Sequence, residues 1–496
     1  MRSVLIANRG EIAVRIIRAC RERGLRSIAV YSDADADAPY VHLADDAVHI
    51  GAPPASASYL SVSRIIDAAL ARGADAIHPG YGFLSEQPAL AEACVNAGLV
   101  FIGPPASAIR QMGSKAEARR VMEDAGVPCV PGMRVASQDA AAFRDAAGTL
   151  GYPVLVKASA GGGGKGMRRV DGPEDLDEAV NAARREALAA FGDGTLLLER
   201  YLDRARHIEV QVAADTHGAC LHLGERECSL QRRHQKVVEE APSPVVDAAL
   251  RERMGAAAVA AARSVGYVNV GTVEFMVTGG DTPDAFFFLE MNTRLQVEHP
   301  VTEAVFGLDL VQWQLDIAEG RPLPWAQSDV SPRGHAVECR IYAEAPATGF
   351  LPQAGPVLLY REPQGPGIRV DSGIREGSEI SSYYDPLLAK LVVWAATRDG
   401  ALARARAALR EFVVLGVQTN IGYLQRVLDH PDIREARLDT AWLEAHTSEL
   451  VSPPDERRRD IAAAVALQLH RSPAIRSPER GDTGVDPWVS LGGWRG

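Results

Sequence analysis

Polar residues occupy every second position between residues 290 and 298, directly after an apolar triplet at residues 286–288. Side chains alternate between the two faces of a β-strand, so an extended chain would point all of these residues to one side. Burying carboxylates, an amide and a guanidinium at a strand end is costly unless partners compensate them. A divalent metal and an anionic substrate are such partners, so we predict the floor of a metal–phosphate site. The residues are Glu290, Asn292, Arg294, Gln296 and Glu298.

A further carboxylate belongs to the same predicted site. Glu274 lies in the apolar stretch 271–277, and a polar turn at residues 278–285 separates that stretch from the strand that carries Glu290. The pattern predicts a β-hairpin, which would set the two carboxylates side by side and allow them to share magnesium. The alternative is a pair of cross-strand acids that are tied to Arg294.

A glycine-rich run at residues 161–166 (GGGGKG) contains the letters of a dinucleotide fingerprint. That motif requires a helix after the glycines, whereas a strand-like segment and a turn follow here, and the Gly-Lys-Ser/Thr of a P-loop is missing. We therefore predict a hairpin whose exposed amides close over phosphates. A plain surface turn is the alternative.

Two lysines flank this glycine loop. Lys157 lies in the apolar strand 153–158, and Lys115 lies at a predicted helix start, where an anion is already favoured. A single lysine in a strand is usually solvated, but two lysines around a glycine loop favour binding of nucleotide phosphates.

The segment 225–236 is polar and basic and lies between two strands. Such a charge run is often a solvated loop, and we expect it to present His234 and Lys236 to an anion. Within it, Cys228 is interpreted as structural, and His299, which precedes Pro300, as a turn residue.

Composition restricts the class of protein. A chain of 496 residues is long enough for roughly three domains. A net charge of −11 argues against nucleic acid as a main partner, and no apolar run approaches the ~20 residues of a membrane span. The six scattered cysteines lack a CxxC pair, and no signal peptide is recognisable, so we expect a protein of the reducing cytoplasm.

The first ~110 residues alternate between strand-like and helix-like segments, which predicts a doubly wound parallel sheet with ligands beyond the carboxyl ends of its strands. The loop 78–86 follows one such end. Residues ~130–200 form a separate strand-and-helix unit, and a strand-rich α+β region follows to ~445. Its strand 207–213 alternates cleanly, with His207, Glu209 and Gln211 on one face. Beyond residue 447 only an alanine-rich helix at residues 461–469 is predicted.

Together these motifs resemble the biotin carboxylases of the ATP-grasp superfamily, over about residues 1–446. More narrowly, the chain is similar to the N-terminal part of acyl-CoA carboxylase α subunits. The resemblance implies four segments: a Rossmann-like N-terminal domain, an ATP-grasp linker and lid, a C-terminal ATP-grasp and carboxylase domain, and a tail that starts a missing middle domain. Their bounds are 1–112, 113–202, 203–446 and 447–496. The matching strings are residues 6–15, 78–86, 157–166, 225–242, 290–300 and 416–420.

The resemblance also implies a role for each matching residue. The phosphates of ATP would be held by Lys115, Lys157, Gly163 and Gly164. The adenine side would be formed by Glu199, Arg200, Tyr201 and Leu202, and the nucleotide pocket completed by His207, Gln231 and His234. Magnesium or manganese would be bound by Glu274, Glu290 and Asn292. Bicarbonate would be bound by Lys236, Arg294, Gln296 and Val297, with Glu298 as its general base. Biotin would meet Arg340 and Tyr81.

The implied activity is carboxylation of biotin by ATP and bicarbonate through carboxyphosphate, the first half-reaction of an acetyl-, propionyl- or methylcrotonyl-CoA carboxylase. No Met-Lys-Met tripeptide occurs, so we expect biotin on a carrier protein or domain outside this chain, because the chain is truncated or the carrier is separate. A carboxyltransferase β subunit and a homodimer are the other implied partners. Another ATP-grasp ligase, of the carbamoyl-phosphate or carboxylate–amine type, and a non-catalytic assembly subunit are the alternatives.

Overall fold

The computed structural model describes residues 1–133, 137–159, 167–279 and 285–451, together with Ala464 and Leu467. The chain divides into two compact units, Met1–Pro453 and Pro454–Gly496. Ala464 and Leu467 of the second unit are helical and exposed, which agrees with the predicted helix 461–469 at those two positions. The other residues of that predicted helix lie outside the described residues. The predicted phosphate-binding residues Gly163 and Gly164 also lie outside the described residues.

The elements of the first unit fall into three main sheets and the helices that cover them. In chain order the strands are β1 Ser3–Ile6, β2 Arg26–Ser32, β3 Asp46–Gly51, β4 Ala76–His78, β5 Val100–Phe101, β6 Val154–Ala158, β7 Arg168–Val170, β8 Leu196–Arg200, β9 Arg206–Ala214, β10 Cys220–Arg232, β11 Gln235–Ala241, β12 Asn269–Thr278, β13 Ala285–Asn292, β14 His335–Tyr342, β15 Glu344–Ala345, β16 Leu351–Pro352, β17 Gly355–Pro356, β18 Leu359–Arg361, β19 Ile368–Ser372, β20 Glu379–Ile380, β21 Leu387–Ala395 and β22 Val413–Leu415. The helices are α1 Gly10–Glu22, α2 Pro39–Leu43, α3 Val62–Ala71, α4 Pro88–Asn96, α5 Ala106–Gly113, α6 Lys115–Asp124, α7 Ala140–Leu150, α8 Leu176–Phe191, α9 Ala248–Ser264, α10 His299–Phe306, α11 Leu310–Ala318, α12 Arg398–Glu411, α13 Ile421–Asp429, α14 Pro431–Arg434, α15 Trp442–Ala445 and α16 Thr447–Leu450.

The N-terminal sheet is parallel, with five strands in the order β3-β2-β1-β4-β5. Its central strand, β1, is buried at every position, as expected when helices cover both faces of a parallel sheet. The predicted doubly wound arrangement is therefore confirmed. The loop that follows β4 begins directly after His78, at the carboxyl end of the strands.

The second sheet is small and antiparallel, with three strands in the order β7-β6-β8. Its central strand β6 carries Lys157, and α7 and α8 pack against it through a core that includes Phe143, Val156 and Val180. The apolar residues of β6 hold the strand in place, so Lys157 is presented from a fixed backbone.

The third and largest sheet has eight antiparallel strands in the order β13-β12-β9-β10-β11-β14-β21-β19. In its register Glu274 pairs with Glu290 on one side and with Glu209 on the other. Three carboxylates therefore stand in a row across three neighbouring strands. The opposite face of β9 is apolar and packs against α9, as the alternation of residues 207–213 predicts.

The strand that carries Glu290 ends at Asn292, as the predicted hairpin requires, so the extended alternation does not continue to Glu298. The chain then turns into α10, because Pro300 fits the first turn of a helix. Two local predictions were wrong. His299 is the first residue of that helix and is fully buried. The segment 225–236 is mostly the long strand β10, whose charged side chains are paired inside the protein, and only Arg233 and His234 form a turn.

Within the part of the chain that the structure describes, no helix is both long enough and apolar enough to cross a membrane.

Two helical glycines differ in what surrounds them. Gly255 lies in α9 against β10, and a Cβ atom there would lie 2.4 Å from the His222 ring. Gly148 lies in α7, and a Cβ atom there would have no neighbour within 4 Å. The close approach of α9 to β10 therefore depends on Gly255, whereas Gly148 only loses the helix propensity of alanine.

We expect Gly255→Ala to lower the free energy of unfolding by about 1–3 kcal/mol, because the buried His222 ring must move. Gly148→Ala, the matched control, should raise it by about 0.5–1 kcal/mol. Chemical denaturation of both variants measures the two effects. Equal changes of the same sign would contradict the close packing of α9 on β10.

Candidate active site

One large cavity, of about 1060 Å³, lies between the three sheets. Every described residue that was predicted for the site lines this cavity, although the residues come from distant parts of the chain. They are Tyr81, Lys115, Lys157, Glu199, Arg200, Tyr201, Leu202, His207, Gln231, His234, Lys236, Glu274, Glu290, Asn292, Arg294, Gln296, Val297, Glu298 and Arg340.

The centre of the cavity floor is the ammonium group of Lys236. Its Nζ donates hydrogen bonds to Glu209 at 2.6 Å, Glu274 at 2.9 Å and Glu298 at 2.6 Å. Burial alone would lower the pKa of Lys236, but these carboxylates raise it well above its usual value. Lys236 is therefore positively charged over the whole physiological pH range.

Arg226 supports this cluster from below and was missed by the sequence analysis. Its guanidinium is fully buried and donates to Glu209, Gln211 and Gln296, and also to two threonines. Gln296 in turn donates to Glu274 at 2.8 Å. Arg226 belongs to the charged segment 225–236, but the sequence did not indicate that most of this segment is a buried strand.

Glu298 lies between two cations at the start of α10. One carboxylate oxygen accepts from Lys236 and the other accepts from Arg340 at 3.0 Å. Burial tends to raise the pKa of Glu298, but Lys236, Arg340 and Arg226 hold it well below its usual value. Arg340 also donates to Glu239 at 2.6 Å. Glu239 is a second residue that sequence reasoning missed.

Arg294 forms the side of the cavity nearest the N-terminal sheet. It donates to Glu86 at 2.9 Å and to the side-chain oxygen of Asn292 at 2.9 Å. Glu86 ends the loop that follows β4, and it also accepts from the backbone of Thr293. The predicted site loop therefore contributes by fixing the orientation of Arg294.

The carboxylates predicted to bind metal form one group of hard oxygen donors. Glu290 stands beside Glu274, and the Asn292 amide donates to Glu274 at 2.8 Å. Burial raises the pKa of Glu290, and the charge of Glu274 raises it further. A divalent cation would relieve this repulsion, so the donor set fits magnesium.

The same cavity carries the predicted nucleotide-binding residues. Lys115 is the first residue of α6, and Lys157 forms an ion pair with Glu199, which also accepts from Arg119 at 3.0 Å. Burial lowers the pKa of Lys115, while Glu290 raises it. Both lysines line the cavity, where they can meet a polyphosphate.

The turn between β10 and β11 places His234 at the cavity. Arg233 and His234 both have positive φ angles, of 49° and 64°. Non-glycine residues in this conformation cost of order 1–3 kcal/mol each, and such strain is typical of functional sites. His207 lies nearby, with its Nε2 2.9 Å from Glu274 and its Nδ1 3.5 Å from the amide of Gln231.

A second buried lysine lies behind the cavity wall. Lys390 donates to the backbone carbonyl of Val297 at 2.8 Å and lies 3.3 Å from Glu11. Glu11 accepts a hydrogen bond from the hydroxyl of Tyr81. Neither Lys390 nor Glu11 was predicted as a site residue, because only the fold brings β21 and α1 together here.

Comparisons with known proteins agree with this geometry. Family models match the biotin carboxylase N-terminal domain at residues 1–109 and the biotin carboxylase C-terminal domain at 338–445. The ATP-binding domain of the carbamoyl-phosphate synthase L chain matches residues 114–326.

The chain is also similar to curated proteins over most of its length. It is 52% identical over 445 residues to a biotin carboxylase of Halalkalibacterium halodurans, covering 90% of this chain and 98% of that protein. It is 47% identical to the mitochondrial methylcrotonoyl-CoA carboxylase alpha subunit of Dictyostelium discoideum, covering 99% of this chain and 70% of that protein. The chain spans 61% of the length of the corresponding subunit of Oryza sativa.

Among solved structures, the biotin carboxylase domain dimer of the Hydrogenobacter thermophilus 2-oxoglutarate carboxylase, in complex with MgADP and bicarbonate, superposes with a TM-score of 0.88. The two sequences are 45% identical, and the match covers 91% of this chain and 99% of that domain. The Campylobacter jejuni biotin carboxylase superposes with a TM-score of 0.87 at 44% identity, over 90% of this chain and 99% of that one. On its sequence, fold and cavity, the chain belongs to the biotin carboxylase family of ATP-grasp proteins.

Proposed function

We propose that this chain carboxylates biotin, using ATP and bicarbonate as the other substrates. The observation that supports this most strongly is the arrangement around Glu298, a carboxylate that lies between Lys236 and Arg340 and whose pKa these cations hold well below its usual value. Arg294 and the paired carboxylates Glu274 and Glu290 line the same cavity. An anion, a metal–phosphate group and a proton acceptor can therefore meet at one point.

At the nucleotide end, Lys115 and Lys157 would bind phosphate oxygens of ATP, and the segment from Glu199 to Leu202 would face the adenine. Magnesium bound by Glu274, Glu290 and Asn292 would neutralise phosphate charge during the transfer. Preorganised cations in a cavity that excludes water stabilise developing negative charge more strongly than they do in bulk water.

Bicarbonate would lie against Lys236 and Arg294. Its binding would draw Lys236 away from Glu298, which raises the affinity of that carboxylate for a proton and lets it act as general base. The deprotonated bicarbonate oxygen then forms a bond to the γ-phosphorus, the bond from that phosphorus to ADP breaks, and carboxyphosphate results.

Carboxyphosphate would then split into CO₂ and phosphate inside the closed site. The phosphate takes the N1 proton of biotin, and the new bond forms between N1 and the carbon of CO₂. Arg340 would stabilise the negative charge on the ureido oxygen of biotin, with Tyr81 on the other side of the ring. Exclusion of water matters because it prevents hydrolysis of the intermediate.

The partners belong to the same proposal. Biotin would arrive on a carrier protein or domain, and a carboxyltransferase β subunit would pass the carboxyl group to an acyl-CoA. A homodimer is consistent with the dimeric relative of Hydrogenobacter thermophilus. We retain a cytoplasmic location as a prediction, although several relatives are named as mitochondrial. The matching N- and C-terminal biotin carboxylase models disfavour another type of ATP-grasp ligase.

ATP hydrolysis with magnesium and bicarbonate, with and without free biotin, tests the proposed activity. We expect biotin-stimulated turnover, and Arg340→Ala should abolish carboxylation of biotin while retaining some bicarbonate-dependent hydrolysis, because Arg340 acts on the biotin side. Wild-type hydrolysis that is indifferent to bicarbonate would contradict the function. Equal loss of both activities in Arg340→Ala would contradict the role of that residue.

Glu290→Gln should raise the magnesium concentration needed for half-maximal ATP hydrolysis by about tenfold or more, because one anionic ligand is lost. Titration of activity with magnesium at saturating ATP and bicarbonate measures this. Glu92→Gln is the matched control, since this exposed carboxylate pairs with Arg110, does not line the cavity and should leave the magnesium requirement unchanged. An unchanged requirement in Glu290→Gln would remove it from the proposed ligand set.

We expect the ionisation of Glu239 to make the free energy of unfolding depend on pH. Burial raises the pKa of Glu239 to about 7 despite the opposing charge of Arg340. Between the ordinary carboxyl pKa of about 4.3 and pH 7, the unfolded chain releases this proton while the folded protein keeps it, so stability decreases as the pH rises. Glu239→Gln should remove this slope, and its stability relative to wild type should improve from pH 5 to 7.5 in urea unfolding. A difference that is constant across this range would show that Glu239 ionises normally.

A further inference from the structure

Lysine is rare in this chain. The sequence contains five lysines and 48 arginines. Three of the lysines, Lys115, Lys157 and Lys236, line the cavity, and Lys165 belongs to the glycine run outside the described residues. The remaining one, Lys390, is fully buried in β21 behind the cavity wall. Arginine serves as the cation almost everywhere else, so a lysine at this buried position calls for a specific explanation.

The contacts of Lys390 join two parts of the cavity wall. Its Nζ donates to the carbonyl oxygen of Val297 at 2.8 Å, within the turn that carries Glu298. The same atom lies 3.3 Å from a carboxylate oxygen of Glu11, which accepts from the Tyr81 hydroxyl. A compact ammonium can reach acceptors that do not share a plane, whereas the flat guanidinium of arginine cannot.

The contacts of Lys390 with Val297 and with Glu11 lie on the sides of the cavity proposed for two different reactants, bicarbonate and biotin. Val297 and Glu298 belong to the bicarbonate side, and Tyr81 belongs to the biotin side. Two more buried carboxylates act on Lys390. Asp371 lies at 3.8 Å, pairs mainly with Arg369 and does not line the cavity, and the charge of Glu338 in β14 also raises the pKa of Lys390. A role only in stability would depend on all four partners, while a role in geometry would depend on Val297 and Glu11.

We propose that Lys390 is a positioning residue that sets the distance between bound bicarbonate and bound biotin, by holding the turn at Val297–Glu298 and the Glu11–Tyr81 pair to one ammonium group. This inference rests on the proposed function. Loss of Lys390 would let the two walls shift independently, and carboxyphosphate would decompose without transferring its CO₂.

The test compares the ratio of carboxybiotin formed to ATP hydrolysed in the whole chain. Lys390→Met should lower this ratio by about tenfold or more and raise the KM for bicarbonate, because small displacements of reacting groups are costly. The KM for ATP should be unchanged. Asp371→Asn is the matched control, since it weakens a partner of Lys390 that does not line the cavity, and it should keep the wild-type ratio.

Two further measurements keep the inference falsifiable when Lys390→Met does not fold. Glu11→Gln retains the shape of the side chain while weakening its pairing with Lys390, and it should also lower the ratio. In Lys390→Ala, added propylamine should restore part of the ratio by supplying the missing ammonium. A wild-type ratio in folded Lys390→Met, or in Glu11→Gln, would overturn the positioning role. Failure of the proposed function would differ, because the wild-type chain would then lack bicarbonate-dependent hydrolysis altogether.

Discussion

The floor of the cavity holds more buried charge than its strands could carry without mutual compensation. Lys236 and Arg226 neutralise Glu209, Glu274 and Glu298 from two sides, and each cation shares at least one carboxylate with the other. Removing one member of such a buried group leaves the others uncompensated, which costs several kcal/mol. The antiparallel sheet, the turn before α10 and the N-terminal loop all meet at this cluster, so their relative positions depend on its charge balance.

This cluster also explains why so many elements contribute single residues. Adjacent strands of the large sheet supply carboxylates at matching register, and α9 supplies most of the apolar packing behind them. Arg340 and Lys390 are cross-strand neighbours in β14 and β21, and they reach Glu298 and Val297 respectively. The bicarbonate side is therefore held by two adjacent cations of one sheet, which act on consecutive residues of the same turn.

Much of this arrangement could be predicted from local patterns. The alternation of β9, the hairpin that pairs Glu274 with Glu290 and the lysine in β6 follow from the period of two along a strand. The strand β10 could not be recognised, because its charged residues resemble a solvated loop until their buried partners are known. Arg226, Glu239 and Lys390 were missed for the same reason: their partners are distant in sequence, and only the fold brings them together.

The scarcity of lysine affects how this protein can be handled chemically. None of the four described lysines, Lys115, Lys157, Lys236 and Lys390, is exposed. Among these four lysines, reagents that acylate primary amines would therefore find few targets, and the partly exposed ones, Lys115 and Lys236, line the cavity. Partial labelling of Lys115 or Lys236, followed residue by residue, would report on the occupancy of the cavity. Attachment to a support through either of these two lysines would for the same reason obstruct the cavity, and coupling through another functional group would preserve access.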